Sequence, residues 1–177
     1  MRIKSVHIKN LRSFVDQRVE FNRYNRLVGA NGAGKSTVLC ALNIFFRETQ
    51  NAATDLTALQ AEDFHVKNVA DPIEITVEFT DLNAEAQTDF AEYFRQGILV
   101  ISAIANFEPA SGSAVVKQYG QRLAMPILAP YFKAANDGVS AGELKAIYAE
   151  LRTTCPDLPT AGTKDAMAAA LHAYEAA

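Results

Sequence analysis

Hydrophobic and polar residues alternate most regularly over residues 73–79, which read IEITVEF. This period of two predicts a β-strand with one buried face and one face toward water. Looser alternation over residues 3–10 predicts a second half-buried strand. Apolar residues around Val19 and Phe21 predict a strand that pairs with it as a hairpin, and a further short strand is expected at residues 27–28.

The middle of the chain continues with strand-like patterns. Residues 99–107 and 114–119 are rich in β-forming residues and flank a turn at residues 109–113, so we expect an antiparallel meander. Residues 84–96 have the spacing of an amphipathic helix that ends before Gly97. Residues 51–72 are weakly patterned, which predicts loop with short helical pieces.

Helical spacing dominates the C-terminal part. Ser140 and Glu143 form a capping-box pattern ahead of one helix, and Thr163 can cap a second. We therefore expect two parts, residues 1–125 and a helical hairpin over residues 126–177 that serves self-association. The last helical pattern reaches Ala177 without a stop signal, which predicts that the sequence is a piece of a longer protein.

Residues 29–37 carry the pattern G-x-x-x-x-G-K-[ST], filled by Gly29, Gly34, Lys35 and Ser36. An apolar pair precedes the pattern and a helical run to about Arg47 follows it, as the pattern requires. Glycines let backbone N–H groups turn around an anion, and the helix start adds unpaired N–H groups and a positive dipole end. The pattern predicts a phosphate-binding loop, with Lys35 on the β- and γ-phosphates and the Ser36 hydroxyl on Mg²⁺.

Charge is distributed unevenly around this loop. Residues 1–50 hold nine Lys/Arg and three Asp/Glu, a balance of +6, whereas residues 51–177 hold eight and seventeen, a balance of −9. A basic N-terminal third suits a polyphosphate ligand and nucleic acid. The two cysteines form no disulfide or zinc pattern. With no apolar run of the ~18 residues that span a bilayer and no signal pattern, we expect a cytoplasmic protein without a membrane partner.

The N-terminal residues resemble the head domains of RecF/SMC-type ATPases, a branch of the ABC ATPase superfamily. The matching segments are residues 8–14, 19–21 and 29–37, and Asn31 before Gly32 is the feature that separates this branch from other phosphate-loop proteins. Residues 62–65 and 72–82 are similar to the OLD (overcoming lysogenisation defect) proteins, bacterial and phage ATPases fused to a C-terminal Toprim nuclease. The implied fold is α/β: the N-terminal portion of an ABC/SMC-like P-loop NTPase head, with an antiparallel meander and a helical insert.

This resemblance implies a role for each matching residue. Lys35 is the catalytic candidate and binds the β- and γ-phosphates together with the loop amides, Ser36 binds Mg²⁺, and Thr37 contacts the α-phosphate. Arg12 is expected close to the nucleotide. The complete set of expected ATP-binding residues is Arg12, Gly29, Ala30, Asn31, Gly32, Ala33, Gly34, Lys35, Ser36 and Thr37. The implied cofactors are ATP and Mg²⁺, and the implied partners are a second copy of the chain and, for the full-length protein, DNA.

Several elements of an ABC-type active site are not found in the sequence. No apolar strand ends in Asp-Glu, no signature motif or Toprim-like acidic cluster follows, and the best apolar run, residues 98–106, leads only to Glu108. We therefore expect the ATP-binding portion of an ATP-dependent nuclease. The alternative is an ATP-switched dimerisation or DNA-binding module.

Residues 140–177 resemble a helix–loop–helix SAP-type DNA-binding motif, but three basic against five acidic residues favour self-association. A small-molecule kinase would also contain the loop, but it predicts a parallel sheet, against the antiparallel signals.

Overall fold

The computed structural model describes residues 1–47 and 58–176, which form two compact units. The sheet unit comprises Met1–Tyr93 and Ile98–Gln121, and the helical unit comprises Phe94–Gly97 and Arg122–Ala177. None of the helices within the described ranges is long and apolar enough to cross a membrane.

Within residues 1–47 and 58–121, five strands form one sheet in the order β2-β1-β3-β4-β5, each antiparallel to its neighbours. Two α-helices are found among the described residues of the sheet unit: α1, which follows the glycine-rich segment, and the short α2. The bounds are β1 (Arg2–Leu11), β2 (Phe14–Glu20), α1 (Lys35–Phe46), β3 (Ile73–Thr80), α2 (Ala84–Asp89), β4 (Leu99–Glu108) and β5 (Ser113–Gln121).

One face of the sheet carries the apolar core. Along β3, Ile73, Ile75, Val77 and Phe79 are buried and alternate with half-buried polar residues, as the period of two requires. Helix α1 packs its apolar side on this sheet, where Phe45 lies beside Phe79 with ring centroids 6.0 Å apart. The result is a two-layer α/β arrangement in which the first turn of α1 includes the exposed Ser36.

Most strand predictions are confirmed. The two most regular patterns became β1 and β3, the meander became β4 and β5, and the first hairpin forms with Val6 opposite Val19. The helix after the glycine-rich segment is confirmed as α1. Short 3₁₀ turns at Ala61–Asp63 and His65–Lys67 confirm the helical pieces expected there, while residues 51–57 of that segment lie outside the described residues.

Two predictions are wrong. Residues 27–28 form no strand, and Val28 is 88% exposed, because an apolar pair becomes a strand only when a neighbouring strand supplies hydrogen-bond partners. The helix expected over residues 84–96 ends at Asp89. Beyond that point the Tyr93 ring packs over Gly120 of β5, so tertiary packing overrides the helical pattern.

The helical unit holds three helices around its own core. These are α3 (Ala129–Asn136), α4 (Ala141–Thr154) and α5 (Lys164–Ala176). The capping box is confirmed, since the Ser140 hydroxyl accepts the Glu143 N–H and the Glu143 carboxylate accepts the Ser140 N–H. The Thr163 cap is also confirmed. Helix α3 was not expected, and the fully buried Tyr131 anchors it to the core.

The ion pairs of Glu78 with Arg18 and Lys4 make a prediction about how the stability of the sheet unit depends on pH. Burial acts to raise the pKa of the Glu78 carboxyl, but the hydrogen bond and charge of Arg18, with help from Lys4, outweigh burial and hold the pKa below its usual value. A carboxylate whose pKa is lowered by folding stabilises the protein above its unfolded pKa, and that stability is lost as the pH falls through the folded pKa.

We therefore expect the melting temperature to fall as the pH is lowered from about 5 to about 3. Glu78→Gln should lower the melting temperature at neutral pH and make the acid decline shallower. Exposed Glu92→Gln is the matched control and should change neither. An acid profile of Glu78→Gln that parallels the unmodified chain would contradict this assignment.

Candidate functional site

The glycine-rich loop, residues 29–34, turns directly into the first turn of α1. Gly32 and Gly34 have φ values of +85° and +87°, in the left-handed region that favours glycine. Gly34 is the N-cap of α1 and offers no side-chain cap, and the first turn contains no acidic residue. The helix therefore begins with N–H groups that no side chain caps, an arrangement that attracts an anion.

A cavity of about 410 Å³ lies at this helix start, and we call it the loop cavity. Its lining combines the loop and first turn of α1 with the turn between β1 and β2. The lining residues are Arg12, Ser13, Asn31, Gly32, Gly34, Lys35, Ser36 and Thr37. The fold thus brings seven of the expected nucleotide-binding residues to one cavity, while Gly29, Ala30 and Ala33 are not part of its wall.

Gly29 and Ala30 contribute to the cavity through Lys35. The Lys35 ammonium donates to the carbonyl oxygens of Gly29 at 2.7 Å and Ala30 at 2.8 Å. These bonds hold the lysine side chain across the loop and keep its charge at the mouth of the helix.

Ser13 is a member of the cavity that sequence reasoning missed. Its hydroxyl shares a 2.8 Å hydrogen bond with the hydroxyl of Thr37, which is buried in the first turn of α1. This bond joins the β1–β2 turn to the helix start. Ser13 lies in the turn segment that carried the family resemblance, and that segment was its only signal in the sequence.

Arg12 reaches the cavity from the same turn and is held from behind by Asp63. The Asp63 Oδ1 atom accepts hydrogen bonds from Arg12 Nε at 3.1 Å and Nη2 at 2.9 Å. The Arg12 N–H donates to the Asp63 carbonyl at 2.8 Å, and His65 Nδ1 donates to the Arg12 carbonyl at 2.8 Å. The segment around residues 60–65, which carried the softer resemblance, therefore supports the turn that carries Arg12.

Among the described residues, few side chains around the cavity could ligate a metal ion. Ser36 is exposed and contributes a hydroxyl group to the cavity wall. Across the described residues, no group of three or more His, Cys, Asp and Glu side chains could hold a metal ion. A single hydroxyl suits a phosphate-bound Mg²⁺, which takes few protein ligands and keeps phosphate and water oxygens in its shell, whereas amide and ammonium groups suit the phosphate itself.

A helix start, a lysine and hydroxyl groups around one cavity are the groups that phosphate-binding sites use. A family model described as AAA ATPase domain matches residues 1–151, from the first strand into α4. The chain therefore belongs to the AAA ATPase domain family, which is found in SMC-, RecF- and OLD-like ATPases. No curated protein matches the chain. Membership supports an ATP-binding function.

Gly34 allows a test of the loop geometry. A Cβ atom built there would overlap the Phe14 ring, whereas a Cβ at Gly32 would meet no atom within 4 Å. Gly32→Ala should cost about 1 kcal/mol of stability through its positive φ alone. Gly34→Ala should cost a further 1–3 kcal/mol, roughly, through overpacking.

The measurement is thermal unfolding of both variants, followed by circular dichroism. Gly32→Ala is the matched control, because it shares the strained backbone but not the contact with Phe14. Equal losses in the two variants would contradict the packing of the Phe14 ring against the loop.

Proposed function

We propose that the chain binds ATP with Mg²⁺ in the loop cavity. The observation that carries this proposal is the convergence of the uncapped α1 start, Lys35, and the Arg12–Ser13 turn on one cavity. Polyphosphates need backbone N–H donors and cations that converge in this way. Family membership and the basic balance of residues 1–50 add independent support.

Each residue then has a proposed role. The N–H groups among residues 31–37 bind the β- and γ-phosphates together with the Lys35 ammonium, apart from those of Ala33 and Thr37, which donate to the carbonyls of Ala30 and Gly34. Thr37 lies against the α-phosphate. Arg12 adds a second positive charge. Ser36 holds Mg²⁺, which would neutralise phosphate charge when bound. Gly29 and Ala30 act through their carbonyls on Lys35, and Ala33 closes the loop through its N–H, which donates to the Ala30 carbonyl.

Hydrolysis is the finer part of the proposal. Lys35 is the catalytic candidate, because a positive charge at the transferred phosphoryl group stabilises the transition state. In heads of the ABC type two protomers enclose the nucleotide, and we propose that this chain likewise forms a homodimer to complete its site. In the full-length protein, we propose an OLD-type ATPase that couples ATP to DNA processing by a C-terminal Toprim nuclease.

A second candidate is an ATP-switched dimerisation or DNA-binding module without a nuclease. One observation favours it: the helical unit has a core of its own and a cavity of about 310 Å³ whose wall includes Lys145 and Arg152 of α4. Two cations on one helix face beside a glycine-containing loop suit a phosphate backbone. The net negative charge of residues 140–177 disfavours DNA binding, so this function remains the second candidate.

The ATP proposal is tested by calorimetric titration of the full chain with ATP and Mg²⁺. Lys35→Ala should weaken binding at least about tenfold, because it removes a charge-assisted contact to phosphate. Lys9→Ala is the matched control: it removes a positive charge from the same basic third, and Lys9 pairs with Glu74 outside the loop cavity. Equal affinity of Lys35→Ala and the unmodified chain would refute the proposal.

The second candidate function predicts that DNA binding or dimerisation depends on the helical unit. Binding of a fluorescent DNA duplex should be weakened several-fold by Lys145→Gln together with Arg152→Gln, and its dependence on salt concentration should become shallower. Light scattering with and without ATP reports dimerisation in the same samples. DNA binding that is unchanged by the two substitutions would contradict a role for Lys145 and Arg152. An ATP-dependent dimer that does not bind DNA would instead favour self-association.

A further inference from the structure

The Asp63 carboxylate is fixed on both of its oxygens. Oδ2 accepts the backbone N–H of Gln60 at 3.1 Å, and Oδ1 accepts the two Arg12 bonds. The Asp63 side chain is only 11% exposed. A carboxylate tied to its own backbone turn at one oxygen presents the other in a fixed direction, so the guanidinium that binds it has a fixed orientation as well.

The backbone around this pair is anchored equally firmly. Leu11 and Phe64 form an isolated β-bridge, and the buried Phe64 ring packs edge-on against Phe107 of β4 at 5.7 Å. The backbone of Arg12 has a φ of +49°, which residues other than glycine rarely adopt. The surrounding hydrogen bonds must therefore stabilise this conformation. Asp63 therefore belongs to a packed segment that connects β4 to the wall of the loop cavity.

We propose that Asp63 is a positioning residue of the ATP site, which holds the Arg12 guanidinium in the orientation that receives phosphate. This inference rests on the proposed ATP-binding function. Arginine loses much side-chain freedom when it is fixed by a ligand, and a side chain that is already ordered by the protein avoids most of that loss on binding. Asp63 supplies this order without touching the nucleotide itself.

The sign of the Asp63 effect separates positioning from simple electrostatics. A negative charge behind the cavity repels phosphate, so if charge alone mattered, Asp63→Asn would tighten ATP binding. If Asp63 positions Arg12, the same substitution weakens ATP binding, because asparagine keeps the shape but loses the charge-assisted bonds. The two effects of one isosteric change thus point in opposite directions.

The test measures ATP affinity of the full chain by calorimetry in the presence of Mg²⁺. Asp63→Asn should weaken binding about five- to tenfold in the unmodified background and leave it unchanged in an Arg12→Ala background. Glu78→Gln is the matched control, because it breaks a comparable partly buried ion pair with Arg18 in the same sheet, away from the cavity. It should lower stability without changing affinity.

Unchanged or tighter binding by Asp63→Asn would overturn the inference, and so would an equal loss in the Arg12→Ala background. If Asp63→Asn unfolds the chain, Arg12→Lys replaces it: lysine keeps the charge but not the paired bonds, so affinity should fall, and unchanged affinity would overturn the inference. Binding that is insensitive to Lys35→Ala would instead refute the ATP site itself. The two failures are therefore distinguishable.

Discussion

The whole sheet unit depends on β1 being paired on both of its edges. β2 lies on one side and β3 on the other, and the apolar residues Val6 and Ile8 of β1 are fully buried between them. The strand ends at the turn that carries Arg12 and Ser13, and that turn meets the start of α1. Because β1 cannot shift along two partners at once, the cavity wall that it carries is held in place.

Patterns that depend on neighbours in the sequence were the predictable part. Alternation revealed β3 because its two faces have different surroundings, and the spacing of Gly29, Gly34 and Lys35 revealed the loop, because phosphate binding needs those residues close together along the chain. What could not be predicted depends on contacts between distant residues. Asp63 is 51 positions from Arg12, and nothing in its local pattern indicates which side chain it binds.

The wrong predictions have the same origin. Residues 27–28 are apolar enough for a strand but have no partner among the described strands. Residues 90–96 have the hydrophobic period of a helix, but Tyr93 packs against Gly120 of β5 instead. Helix α3 was not predicted, because a helix of 8 residues has too few turns to show a clear hydrophobic period. The burial of Tyr131 in the core fixes its position. Tertiary burial decided each of these elements.

The cavity residues lie within residues 12–37, but their support includes Asp63 and the neighbouring strand β3. This separation has a consequence for folding order. The hairpin and the loop leave the ribosome first, yet β1 has only one paired edge until β3 has been synthesised and added across the intervening segment. Closing that larger loop is expected to be the slower event, so the wall of the loop cavity is completed with the sheet and not before it.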